Sequence, residues 1–108
     1  LKAEDKELMD NILEYVEHHY AEKLTLSDVA ARFFVSESTI SLTFRKKMGV
    51  SFYHWVTQRR LIAAKVLIEG GALLEDVAQS VGFSEYSSFF RAFKREFGIS
   101  PKQYRNLL

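Results

Sequence analysis

One stretch of this chain is written twice, and the repetition limits what the chain can fold into. Leu74, Asp76, Val77 and Ala78 lead through Val81, Gly82 and Phe83 to Ser84 and Glu85, then to Phe89, Phe93 and Phe97 at four-residue intervals. A shift of 48 residues pairs Leu26 with Leu74, Asp28 with Asp76, Val29 with Val77, Ala30 with Ala78, Ser36 with Ser84 and Glu37 with Glu85. Further on the shift is 49, pairing Phe44 with Phe93, Lys46 with Arg95, Gly49 with Gly98, Val50 with Ile99, Ser51 with Ser100 and Trp55 with Tyr104. The one-residue slip is expected inside the second helix of each copy. Repetition at this period marks a duplicated supersecondary unit, and two copies make a pair rather than a solenoid.

Each copy reads as a short apolar helix, a tight turn and a longer helix, which is the helix-turn-helix pattern. In the first copy, Thr25 and Asp28 suggest a capping box opening a helix over 26–33 with Leu26, Val29, Ala30 and Phe33 inward. Ser36 is expected to cap a helix over 37–48 that buries Ile40, Phe44 and Met48 and ends at Gly49. In the second copy, residues 74–81 form the short helix, Gly82 makes the turn, and Ser84 caps a helix over 85–97 that ends at Gly98. Phe89, Phe93 and Phe97 are read as core on their helical spacing, not as base-stacking platforms.

Between the copies, Ser51 caps a helix predicted from Phe52 to Glu69 and stopped by Gly70-Gly71, with Trp55, Val56, Ala63, Val66 and Leu67 facing inward. Eighteen residues span ~27 Å, against ~34 Å for one turn of B-DNA, so such a rod suits two heads addressing successive major grooves. An amphipathic helix over 5–20 precedes the first copy, with Leu8, Ile12, Tyr15, Val16 and His19 or Tyr20 inward. A last short helix, opened by Ser100, Pro101 and Gln103, is expected to bury Tyr104 and Leu107. The fold class is therefore all-α, about seven helices: a first subdomain over 1–50, a linking helix over 51–69 and a second subdomain over 70–108.

Composition narrows the function. With no Cys there are no disulfides, thiolate zinc sites or cysteine nucleophiles, and no Gly-rich phosphate loop or Asp/His/Ser constellation appears among these 108 residues. The adjacent pair His18-His19 points about 100° apart on a helix and cannot share one ion, so no metal and no cofactor is expected. No apolar run approaches the ~20 residues that span a bilayer, so no membrane partner is expected. The net charge of +1 hides a polarity. Residues 1–22 hold seven acids against two lysines, a net of −5, while the rest hold thirteen bases against seven acids, a net of +6. A basic body with an acidic first helix can present one face to a polyanion.

The second copy, from Leu74-x-Asp76-Val77-Ala78 through Val81-Gly82-Phe83 and Ser87-x-Phe89-x-Arg91-x-Phe93-Lys94-Arg95-Glu96-Phe97-Gly98-Ile99-Ser100-Pro101 to Tyr104-Arg105, resembles the C-terminal signature of the AraC/XylS family of bacterial transcription regulators. The resemblance covers about residues 8–107 and implies sequence-specific binding of double-stranded DNA, not catalysis. It implies base reading by Ser38, Thr39, Ser41, Leu42 and Arg45 in the first copy and by Tyr86, Ser87, Ser88, Arg91 and Lys94 in the second. Leu42 departs from the family, where a basic residue is common, and suits a thymine methyl. Ser36, Lys46, Lys47, Ser84 and Arg95 are the phosphate candidates, while Arg59 and Arg60 brace the linking helix or touch phosphate. The family also implies a cytoplasmic activator, with RNA polymerase and a separate sensing or dimerisation domain as partners. Two other readings stay open at this point: the DNA-targeting part of a larger repair enzyme, and a helical protein-interaction module.

Overall fold

The computed structural model describes residues 3–108, apart from the side chains of Ala3 and Asp5, so Lys2 and the Asp5 carboxylate of the N-terminal charge count lie outside the described residues. Seven α-helices and no strand occur among the described residues. They are α1 (Ala3–His19), α2 (Leu26–Arg32), α3 (Glu37–Met48), α4 (Phe52–Glu69), α5 (Leu74–Ser80), α6 (Tyr86–Phe97) and α7 (Pro101–Asn106). The chain divides into two compact units, Leu1–Val56 and Thr57–Leu108, with the division running through α4.

In the first unit, local hydrogen bonds set where each helix starts. Thr25 Oγ1 accepts the Asp28 amide at 3.1 Å, which is half of the expected capping box. The Tyr53 hydroxyl accepts the Leu26 amide at 2.8 Å, tying the start of α2 to the first turn of α4. Ser36 Oγ accepts the Thr39 amide at 3.0 Å and opens α3, and Gly49, at φ 76°, closes it. Ser51 Oγ takes the His54 amide at 3.1 Å at the head of α4. The core then assembles from Met9, Ile12 and Val16 of α1, Val29 and Ala30 of α2, Ile40 and Phe44 of α3, and Phe52 and Val56 of α4. Phe44 is its centre, edge-on to Phe52 at 5.6 Å and to Trp55 at 6.0 Å. His19 is absorbed locally: its ring stacks on Tyr15 at 4.2 Å and its Nδ1 lies 2.7 Å from Glu22 Oε2.

The second unit repeats the plan with more aromatic mass. Phe89 and Phe93 are fully buried, and the ridge continues to Phe97 through ring contacts of 5.7 and 4.7 Å. Lys65 Nζ sits 4.7 Å from the Phe97 ring centroid and 5.1 Å from that of Tyr104, a cation–π bridge between α4, α6 and α7. The Tyr104 hydroxyl donates to Glu69, and that bond raises the phenol's pKa. α7 opens with the full capping box: Ser100 Oγ accepts the Gln103 amide at 3.1 Å and Gln103 Oε1 accepts the Ser100 amide at 2.8 Å, with Pro101 next.

The structure corrects four of the sequence expectations. Along α4, Val66 is 63% exposed and Leu67 is exposed too, while Leu61, Ala64 and Ile68 point inward. Positions i, i+3 and i+7 share a face, and Val66 lies about 200° around the helix from Ala64. Met9 replaces Leu8 as the buried member of the α1 stripe for the same reason, with Leu8 only half-buried. Leu107 is 75% exposed, because α7 ends at Asn106 and leaves it beyond the packed turn. The one-residue slip falls before the second helix, not inside it. α2 and α5 are offset by 48, whereas α3 and α6, both of 12 residues, are offset by 49, so the extra residue lies in the turn.

Those turns reach the same backbone bend with different residues. Gly82 takes φ 108° in the second, while Phe34 takes φ 56° in the first, the only non-glycine at positive φ among the described residues. A left-handed L-residue costs ~1–2 kcal/mol, and a glycine adds ~0.4–1 kcal/mol of chain entropy to the unfolded state. Phe34 is also 94% exposed, so no packing is lost with its ring. Phe34→Gly is therefore expected to stabilise the protein by ~0.5–1 kcal/mol, read as a higher urea midpoint at unchanged slope.

Candidate nucleic-acid interface

Burial of one side of α3 leaves a defined outer face. With Ile40 and Phe44 at zero exposure, the roughly 100° step per residue turns Ser38, Ser41, Leu42 and Arg45 outward. All four are exposed, as is Thr39, whose hydroxyl lies 2.8 Å from Ser36 Oγ and so belongs partly to the cap. Leu42 is 72% exposed, an apolar side chain standing in a polar face. Lys46 and Lys47 follow on the last turn, where positive charge also complements the helix dipole.

On α6, burial of Phe89 and Phe93 turns Ser87, Arg91 and Lys94 outward, with Arg95 beside them, and all four are exposed. Arg45, Lys46, Lys47, Arg91, Lys94 and Arg95 are engaged in no ion pair or hydrogen bond among the described residues, so their charge is available to a ligand. Glu96, by contrast, is occupied by Gln58 Nε2 at 3.0 Å. Tyr86 and Ser88 are only half-buried, and the Tyr86 ring packs edge-on against Phe89 at 5.7 Å. That partial burial raises the Tyr86 pKa, with Arg105 opposing the shift and Glu75 adding to it. Arg60 is likewise packed, its guanidinium 5.9 Å from the Phe83 ring centroid and its pKa lowered by burial, which suits a brace of α4.

Ser84 does not cap α6. The N-cap is Glu85, which makes no side-chain capping bond, and Ser84 stands one residue earlier, exposed in the turn. The extra turn residue is the cause: at an offset of 49 the partner of Ser36 is Glu85, not Ser84. The same register aligns Leu42 with Arg91, Arg45 with Lys94 and Lys46 with Arg95. It also sets Phe90 opposite Ser41, an exposed position that the 48-residue pairing of the turn had concealed.

Two twelve-residue helices, each closed by a left-handed glycine, each preceded by a short helix and a tight turn, and each showing free bases on its outer face, define a pair of helix-turn-helix units. A family model described as a helix-turn-helix domain matches residues 29–107. The C-terminal domain of AraT, a response regulator from Geobacillus stearothermophilus, superposes with a TM-score of 0.90 at 30% identity, covering 94% of this chain and 85% of that one. The DNA-binding domain of AdpA, a global transcriptional factor solved in complex with a target DNA, superposes with a TM-score of 0.86 at 26% identity, covering 91% and 89%. The probable transcriptional regulator LumQ of Photobacterium leiognathi is 37% identical over 99 residues, 91% of this chain and 39% of LumQ. The chain spans less than half the length of the curated relatives it matches. It belongs to the AraC-type helix-turn-helix family, the DNA-binding domains of transcription regulators.

The unequal caps make a stability test. Ser36→Ala removes a bonded N-cap and is expected to cost ~1 kcal/mol, whereas Ser84→Ala changes an exposed turn residue and is expected to stay within ~0.5 kcal/mol of wild type. Urea titrations of the two variants compare the effects directly.

Proposed function

We propose that this chain binds double-stranded DNA sequence-specifically as part of a bacterial transcription regulator, with α3 and α6 as its reading helices. The observation that carries the proposal is the repeated pairing of a buried apolar stripe, Ile40 and Phe44 on α3 and Phe89 and Phe93 on α6, with an outward face of unpaired basic side chains and exposed hydroxyls. An α-helix fits the major groove, and its outer side chains reach the base edges. Arg91 is the principal base reader, because a guanidinium binds guanine O6 and N7 together. Ser87 and Lys94 share its face, Ser38, Ser41 and Arg45 do the same work on α3 with Thr39, and Leu42 contacts a thymine methyl. Tyr86 and Ser88 act from the edge of the α6 face.

Phosphate contacts fall to Lys46, Lys47 and Arg95, with Ser36 and Ser84 as hydroxyl anchors; such contacts set register without reading sequence. The first helix exposes Glu4, Glu7, Asp10, Glu14 and Glu17, a surface that repels a polyanion and confines DNA to the basic faces. In this reading the two helix-turn-helix subdomains, joined by α4, address successive major grooves. The role is binding, not catalysis. No helix among the described residues is long and apolar enough to cross a membrane, which accords with a regulator acting in the cytoplasm. A sensing or dimerisation domain is a proposed partner, since the curated relatives are much longer than this chain, and RNA polymerase is the partner that a role in transcription activation would require.

Arg91→Ala is expected to cost ~1–3 kcal/mol on the preferred duplex and to relax one base position. Its loss on random duplex should be much smaller. Equal losses on both, measured by fluorescence anisotropy, would remove Arg91 from the base-reading set. Affinity should also fall steeply with salt, as phosphate contacts release counterions.

A further inference from the structure

The corrected register carries a consequence for the DNA sequence itself. Phe90 is 37% exposed, next to a residue of the same type that is completely buried. It occupies the place that Ser41 holds on α3, and on α6 it lies among Ser87, Arg91 and Lys94, which are all exposed. Its one ring neighbour among the described residues is Tyr86, tilted at 46° with centroids 6.5 Å apart, which leaves part of the ring to solvent. The other exposed members of this face hydrogen-bond or carry charge, so Phe90 adds the one kind of contact they cannot make.

We propose that Phe90 is a specificity-determining residue that contacts the C5 methyl group of a thymine in the major groove, beside the base pair read by Arg91. Among the four bases, thymine alone carries a methyl group on its major-groove edge, and phenylalanine is one of the side chains suited to it. The ring is apolar surface left in water in the free protein, and its burial against a methyl is favourable only at a thymine. At its own position, beside Arg91 in sequence, it selects a thymine next to the guanine, so the α6 half-site carries both signals. The inference rests on the DNA-reading role proposed above and goes further, because it names the base and the atom.

The test starts from a duplex selected by the wild-type chain out of random sequence. Each thymine is replaced singly by deoxyuridine, which removes the methyl and keeps every hydrogen-bonding group. Apart from the thymine assigned to Leu42, wild type is expected to lose about fourfold in affinity at one position, in the α6 half-site, the size expected from burying a methyl group. That position should adjoin the one relaxed in Arg91→Ala. Phe90→Ser, which installs the residue type found at position 41, should bind thymine and deoxyuridine there equally, while Phe90→Leu keeps the preference; thermal melts verify that both variants are folded. If wild type selects no sequence at all, the DNA-reading role itself fails. If it selects a site but binds thymine and deoxyuridine alike at every position beside the base pair read by Arg91, or if folded Phe90→Ser retains the preference there, the role of Phe90 is overturned and the DNA-reading role stands.

Discussion

The outer faces of α3 and α6 depend on one internal constraint, repeated in each unit: a phenylalanine with no solvent exposure fastens the helix to its own core. Phe44 does this for α3 and Phe93 for α6. Each shares its cluster with a small residue of the preceding short helix, Ala30 or Ala78, also buried. Losing so large a buried ring typically costs ~3–5 kcal/mol, a large part of the stability of a domain this size. Because the ridge repeats near the helical period, fixing it also fixes which residues face out. The outer face is the complement of the packed face.

The two units reach this arrangement with different means. The first starts α3 with a bonded serine cap and bends its turn at Phe34, a residue ill-suited to positive φ. The second bends at Gly82, starts α6 without a side-chain cap, and compensates with the continuous aromatic ridge and the Lys65 bridge to Phe97 and Tyr104. The outer faces differ as well. Where α3 shows Ser41 and Leu42, α6 shows Phe90 and Arg91, so polar and apolar side chains exchange places between the copies. The two outer faces are therefore chemically unlike.

Much of this was legible in the residues because the signals are local. The glycine ends at 49 and 98, the Ser36 and Ser100 caps, the span of α4 and the burial of Phe44, Phe89 and Phe93 all follow from short-range backbone chemistry and helical spacing, whereas the burial of Phe52 does not. The inward face of α4 did not follow. Its residues 61–68 are apolar nearly throughout, so spacing alone could not separate Val66 from Ala64, and the packing partners made the choice. Leu107 misled for a related reason: an apolar residue one position past a helix end has no partner to cover it.

The duplication itself, the all-helical class and the polarity of charge between the acidic first helix and the basic remainder were determined by the sequence alone, because each is a property of order and composition. Where the extra residue of the second copy sits was decided only by tertiary structure. An alignment of letters can place that residue on either side of Ser84, but the αL glycines and the buried rings hold α3 and α6 to the same length and the same phase. The turn, which packs least, absorbs the insertion. That single displacement takes Ser84 off the helix cap and sets Phe90 at the place on α6 that Ser41 holds on α3.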